Sequence, residues 1–600
     1  MTAAPLGISA GAETSTPPDA LEALRHWRLR PGVTASTLAD GLHLRGWSTS
    51  VTLEGSPALP ALWRMVDEAL RTGGAADLAA RTGAGTPLRA ALCTLIGQLH
   101  AHGMLVEAPA PPAGAPAGDW LLEVAGRPAE AAAALAGSRV EVTAADPDGA
   151  PATAAVRALA RAGVTADRVG APAVARGRVL LLATRADGTE RAVGLAVHPG
   201  GAFVTPVGSR ARAGADTAAL GERLGLDKEL EAEAGPALTA LVAGGAVQRL
   251  LCAVAGLPDP GSEGTGGLEP RPRFPSVLVA GERPLRSAYH PWPLGSPEAA
   301  DPPGTLAEAL AGVAALGDER LGVLAPPLTG ALPQLPVALA GCAAPGGGLL
   351  TAGAARADLA RLDAVCRAAE LRCGAGRSGV VVGADPGHAL GRALRRAALR
   401  LPLPARGAAP WDAYGSGHPQ ARHWWGVLTR RLGVRAQLSV MPLDAEGTAY
   451  RADVRGGAAP GRLLGRAVEA TAGDAAAFAA LGALVRVQAE QLDPLVRHIT
   501  SPGGELCPLA AAGVAPAPWE DESWAAGWWA AVAGREAGLH TVLRGLTGLR
   551  TRPWEPTGAE AHAVAAALRG CGFAVIDVLG VRDVLDVRDV LDSDTEGGSR

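Results

Sequence analysis

Lysine is almost missing from this chain: Lys228 is the one example in 600 residues, so nearly all of the 55 basic side chains are arginine. Phe (4) and Tyr (3) are scarce beside 13 Trp. Arg, Ala, Gly, Pro and Trp share GC-rich codons, and both biases are read as ancestry. The seven cysteines are scattered and odd in number, which fits a reducing cytoplasm better than a disulfide framework. Met1 to Pro18 lacks the basic start and apolar core of a signal peptide. No run of 18 apolar residues free of charge and proline suggests a membrane span. A net charge of −4 gives no footprint for nucleic acid. A Walker-type phosphate loop needs a Gly-Lys-Ser/Thr step, and the single lysine sits in Asp227-Lys228-Glu229.

What is present describes a folded, multidomain α/β (α+β) chain. Hydrophobic residues make up 48% of it and the mean hydropathy is +0.16, far from the composition of disorder. The length calls for two to four domains. Residues 21–107 alternate weakly over Leu42–Leu53, as a hairpin does, and continue in helical stretches at Ala58–Arg71, Ala75–Arg81 and Leu88–Ala101. Met104-Leu105-Val106 then reads as a returning strand, and the order suggests a winged-helix module. DNA binding is the commonest use of that shape, but the third helix and its end offer only Arg89, His100 and His102.

A Pro/Ala linker, Ala108–Gly118, leads to an α/β segment at 119–256. Its strands are expected at Trp120–Val124, Arg139–Val142, Val179–Ala183 and Ala192–Val197. Helices are expected at Pro128–Ala136, Ala154–Ala162 and Ala237–Val254. Gly126-Arg127-Pro128 is too short for a dinucleotide fingerprint. A second linker at 257–275 and a connecting segment at 276–304 precede the largest segment, 305–580. Residues 581–600 carry Val-Arg-Asp-Val-Leu-Asp twice and read as a disordered tail.

The largest segment opens with Asp318-Glu319-Arg320-Leu321-Gly322, passes through Leu332-Pro333-Gln334-Leu335-Pro336 and reaches an apolar-periodic helix, Ala357–Arg372. This order resembles the entry to a YcaO domain. The two preceding segments, in their order, resemble the amino-terminal half of fused azoline-forming cyclodehydratases, as in thiopeptide and thiazole/oxazole-modified peptide pathways. There a winged-helix peptide clamp precedes a degenerate ubiquitin-activating-enzyme-like domain. The resemblance implies ATP-dependent closure of Cys, Ser or Thr side chains onto the preceding amide of a precursor peptide. It also implies leader capture by strand addition, with Trp47, Trp63 and Met65 as candidate groove residues.

If the chain is active, the resemblance implies Mg-ATP, with Glu370, Glu469 and Glu490 as candidate magnesium ligands and Arg392, Arg395, Arg396, Arg430 and Arg431 as candidate phosphate ligands. The pattern also departs from the family. The turn Arg367–Arg372 holds one carboxylate, the helix His388–Arg400 has four arginines and no acid, and the last proline is Pro556. Pro293 and Ser296 stand where the family places two zinc thiolates, so no zinc site is expected. Two readings stay open: a cyclodehydratase component, or a catalytically silent scaffold or leader-binding partner of a separate enzyme. Either would work in the cytoplasm with a precursor peptide and an azoline dehydrogenase, as a single chain or a homodimer, without nucleic acid or membrane.

Overall fold

A computed structural model describes residues 24–579, apart from 48, 73–74, 84, 227–233, 263–273, 296–299, 331, 345–346, 375–378, 403–408, 458–460, 493–497 and 501–522. Lys228, Ser296, Cys507, most of the second linker and the 581–600 repeat lie outside the described residues. The chain divides into two compact units, Met1–Glu269 with Val277–Tyr289, and Pro270–Ser276 with His290–Arg600.

The first unit begins with β1 (Trp27–Leu29), β2 (Thr34–Thr37), β3 (Gly41–Arg45) and β4 (Ser50–Glu54). Helices α1 (Leu59–Thr72), α2 (Ala75–Arg81) and α3 (Pro87–Ala101) follow, and β5 (Leu105–Glu107) returns to pair with β1. β2, β3 and β4 form an antiparallel sheet of their own in that order. Thr86 caps α3 by accepting from Arg89 N–H, and Pro87 supplies the preset first turn. Leu92, Leu95, Ile96 and Leu99 then fall on one face and bury against Leu42, Leu44, Trp63 and Val66.

Next come α4 (Gly118–Val124), α5 (Pro128–Ala136), β6 (Arg139–Ala144), α6 (Ala150–Arg161), β7 (Ala166–Gly170), β8 (Arg178–Thr184), β9 (Glu190–His198) and β10 (Gly201–Val204). α7 (Arg210–Leu224), α8 (Pro236–Ala255), β11 (Ser276–Glu282) and β12 (Leu285–Pro291) complete this part. One seven-stranded sheet runs β12-β11-β10-β9-β8-β6-β7, with β6 and β7 parallel. The strand expected at Trp120–Val124 is helical. Leu121 and Ala125 are fully buried four residues apart while their neighbours are only half-buried, the one-sided burial of a helix. α8 is long and apolar enough to span a membrane, but 61% of it is buried in its own unit, so it is read as a core helix.

The second unit contains α9 (Leu306–Leu316), β13 (Ala338–Ala343), β14 (Leu349–Ala354), α10 (Ala357–Cys373), β15 (Val380–Gly383) and α11 (Pro386–Ala398). Then follow β16 (Ala409–Pro410), α12 (Pro419–Gly426), β17 (Ala436–Pro442), β18 (Tyr450–Gly456), β19 (Arg462–Glu469) and α13 (Ala472–Ala489). β20 (His498–Thr500), α14 (Ser523–Thr547), β21 (Arg550–Pro553), α15 (Ala559–Gly570) and β22 (Ala574–Leu579) close it. The strands make three sheets: β13-β14-β20, β15-β22-β21 and β16-β17-β18-β19. α13 is the centre of this unit. It is apolar all round, Ala475 to Val485 are all buried, and a helix of that kind has no solvent face to offer. The chain is thus a mixed, multidomain α/β protein.

Candidate functional site

Three helices and one strand end meet around a buried cluster of charge. α10 supplies Asp363, Arg367 and Glu370 at i, i+4 and i+7, which places them on one face. α11 starts at the Asp385 cap, whose side chain accepts from His388 N–H, and Pro386 occupies its first turn. Its Arg392, Arg395 and Arg396, at i, i+3 and i+4, turn inward together. Glu469 ends β19, and Glu536 comes from α14.

Every carboxylate here faces a guanidinium. Glu370 accepts from Arg396 Nη2 on both oxygens (3.0 and 2.9 Å), Arg367 Nη1 (2.9 Å), Arg392 Nη2 (3.3 Å) and Val382 N–H (3.1 Å). Arg392 also donates to Asp363 at 2.7 Å. Arg395 makes a two-pronged bond to Glu469 through Nε and Nη2, each 3.0 Å, and a second one to Glu536 through Nη1 and Nη2, each 2.6 Å. Glu536 additionally contacts His540 Nε2 at 2.8 Å. Arg392 and Arg395 are fully buried, and all four carboxylates are buried. Burial pushes the Glu536 carboxyl up, but the Arg395 charge and its hydrogen bonds outweigh this and bring it down to about 2. Burial, reinforced by Arg392, holds the His388 imidazole well below its usual range and therefore neutral.

These residues do not fit magnesium and a nucleotide. Magnesium demands near-octahedral oxygen ligands at about 2.0–2.1 Å. An ionised carboxylate has about four lone-pair sites, and Glu370 already meets four donor groups. Glu469 spends both oxygens on Arg395. The four acids Asp363, Glu370, Glu469 and Glu536 are matched by the four bases Arg367, Arg392, Arg395 and Arg396. A divalent ion would have to displace a guanidinium and strand its charge in the interior, which is costly. Among the described residues no three His, Cys, Asp or Glu side chains are grouped to hold a metal ion.

The other candidates separate. Glu490 sits at the end of α13 with its side chain 39% exposed, bonded to Arg462 and to Arg486. It is a helix-end ion pair outside the cluster. Arg430 and Arg431 lie on the exposed side of a π turn, Val427–Arg431, that continues α12. Arg430 stacks over the Tyr414 ring, 4.1 Å from its centre, and neither arginine reaches a described carboxylate. In the first unit, Trp63 is only 7% exposed and is a core residue, and Met65 packs half-buried against the same core. Trp63 is therefore corrected from groove to core: α1 turns it inward with Val66 and Leu70 at helical spacing. Trp47 is 71% exposed at the tip of the β3–β4 hairpin. Among the described residues β2 and β4 each pair only with β3, so both outer edges of that sheet are open.

Three functional-looking groups were not singled out from sequence. Asp363 and Glu536 complete the cluster, and Asp474 forms a second buried hub. Asp474 accepts from Thr471 (2.5 Å), Trp528 Nε1 (2.7 Å), Arg535 (2.6 Å) and His418 Nε2 (3.3 Å), which binds α14 onto α13. Burial raises the Asp474 carboxyl, but these donors bring it to about 2. Asp363 alone had a signal, its i, i+7 relation to Glu370. The others arrive from distant elements.

No family model and no curated protein matches this sequence. Two solved structures align along most of it. One is a heterocyclase in complex with substrate and cofactor, at 11% identity, covering 94% of this chain and 97% of that one with a TM-score of 0.45. The other is the heterocyclase TruD, at 13% identity and the same coverages, with a TM-score of 0.41. Both scores fall below the level at which a shared fold follows.

Proposed function

We propose that this chain is the peptide-binding component of an azoline-forming machine, capturing the leader of a ribosomally made precursor and leaving ATP-dependent cyclodehydration to another protein. The observation that carries the choice between the two readings is the self-neutralised cluster around Arg392, Arg395 and Glu370. Its carboxylates are spent on guanidiniums, so Glu370 and Glu469 are committed to arginine, and Glu490, the third residue that the resemblance assigns to magnesium, lies outside the cluster. Peptide capture is supported by the open-edged β2-β3-β4 sheet and by Trp47 beside it. An open edge offers main-chain donors and acceptors to an added strand, and an exposed indole supplies apolar area for register. The six free cysteines among the described residues suit work in a reducing cytoplasm, upstream of an azoline dehydrogenase.

The test is calorimetry on the full chain with the leader of the precursor encoded beside it. Leader binding without nucleotide, about tenfold weaker in Trp47→Ala, is the expected result. Tight Mg-ATP binding, or ATP turnover by this chain alone, rejects the silent reading. Absence of any leader binding rejects the capture reading.

A further inference from the structure

We infer that the outward face of the helical stretch Pro419–Arg431 docks an acidic segment of the bound peptide; the inference rests on the peptide-binding reading for the source of that segment. From Ala413 to Leu443 the chain contains no Asp or Glu, while Arg422, Arg430, Arg431 and Arg435 fall within it. All four are exposed, and none forms an ion pair among the described residues. The underside of the same helix is anchored by Ala421, Trp424 and Leu428, which are buried, so the cations are held outward.

Arg430, within the strip, is held in place by the fold itself. Arg422, Gly426 and Arg430 follow one another at i, i+4 and i+8 along one side. Tyr414 lies across this line. Its hydroxyl is 3.7 Å from where a Cβ on Gly426 would stand and 3.4 Å from Thr429 Oγ1. The Arg430 guanidinium rests over its ring, which restricts the arginine and leaves the N–H edges of its plane for an acceptor. Asp412, the last carboxylate before the strip, accepts Tyr414 N–H at 2.9 Å and thereby fixes the turn.

Geometry selects the partner. Arg430 is eight positions beyond Arg422; at the α-helical rise of 1.5 Å per residue that is at most about 12 Å, and slightly less because the last part is a π turn. An extended peptide covers that span in about four residues. Carboxylates four residues apart therefore meet both guanidiniums, each in a fork. A nucleic acid fits less well, because its affinity depends on many phosphate contacts along a continuous basic track, and the whole chain is net negative.

Fluorescence anisotropy with the full chain tests this. The probes are a labelled Gly/Ser peptide with glutamate at every fourth position, its serine and lysine counterparts, and a single-stranded oligothymidylate of equal length. Binding of the glutamate peptide alone is expected, weakening with salt and about tenfold weaker in Arg422→Glu/Arg430→Glu/Arg431→Glu. The corresponding triple Gln variant, checked by circular dichroism, should lose most of the same affinity. Equal binding of the serine peptide, unchanged affinity in both variants, or tighter binding of the oligonucleotide overturns the inference. Trp47→Ala keeps the two readings apart: it weakens leader capture and leaves the glutamate peptide unaffected.

Discussion

α11 and the stretch from Pro419 to Arg431 carry the same residue type and put it to opposite uses. In α11, Arg392 and Arg395 are fully buried and locked onto acids from α10, β19 and α14. In the other helix the arginines face solvent and meet no described acid. The difference lies in what surrounds each helix. The α11 guanidiniums are buried because carboxylates from other elements converge on them, since an unpaired interior charge is prohibitive. The buried set defines a closed interior, and the exposed set keeps its bonding capacity for something else.

The comparison breaks most sharply at Arg395. Arg395→Leu removes the guanidinium shared by Glu469 and Glu536 and strips both buried carboxylates of their two-pronged partner, leaving Glu536 with His540, at a cost of about 3–5 kcal/mol. Denaturant unfolding followed by circular dichroism measures it. Replacing all three together, Arg395→Leu with Glu469→Leu and Glu536→Leu, should recover most of that loss, since an apolar set of similar volume matches a buried ion cluster. If the single variant is as stable as the parent, the cluster is wetter than its geometry implies.

Acid sharpens the contrast. Glu536 and Asp474 lie at about 2, below the ordinary carboxylate range. A depressed folded-state value means that their contribution is complete above the unfolded value, near pH 4, and is lost as pH falls from there toward 2. Stability of the second unit should therefore fall steeply between about pH 4.5 and 2. Glu536→Gln should flatten that slope while lowering stability at neutral pH. An unchanged slope in the variant would remove Glu536 as its source.

Mg-ATP should have less effect again. A ligand of the folded state raises the unfolding midpoint in proportion to RT ln(1 + [L]/Kd). With its carboxylates committed to arginine, the second unit should show no shift at millimolar Mg-ATP in a thermal melt. A rise of several degrees would mean that the cluster opens to accept it.

Most elements were legible in the sequence because their burial is periodic. Leu92, Leu95, Ile96 and Leu99 announce α3, and the apolar run of α13 announces a core helix. α4 was misread because a short apolar run does not distinguish a strand from a helix, and only Leu121 with Ala125 decides it. The site was half legible. Glu370 and Glu469 do sit among the α11 arginines, but the meaning of that meeting depends on Asp363 and Glu536. Glu536 lies 141 residues from Arg395 in sequence, and no local pattern connects them. Arginines at i, i+3 and i+4 with no neighbouring acid read equally as a phosphate site, a solvated face or half of a buried network.

The smallest expected effect is on the exposed strip. Arg422→Ala and Arg431→Ala each remove a solvated charge that bonds to no described acid, so stability should change by less than about 0.5 kcal/mol. Relief of repulsion among neighbouring cations offsets the lost packing of the side-chain stems. Arg430→Ala should cost slightly more, about 0.5–1 kcal/mol, because it also abandons the Tyr414 ring. Arg430→Lys should fall between, since an ammonium keeps the charge over the ring but loses the stacking plane. Denaturant midpoints measured at low and high salt separate the terms: repulsion is screened by salt, whereas close ring contact is much less so. A loss above about 2 kcal/mol at Arg422 or Arg431 would put these arginines in the same structural class as Arg395, and the strip would then have no spare bonding capacity for a peptide.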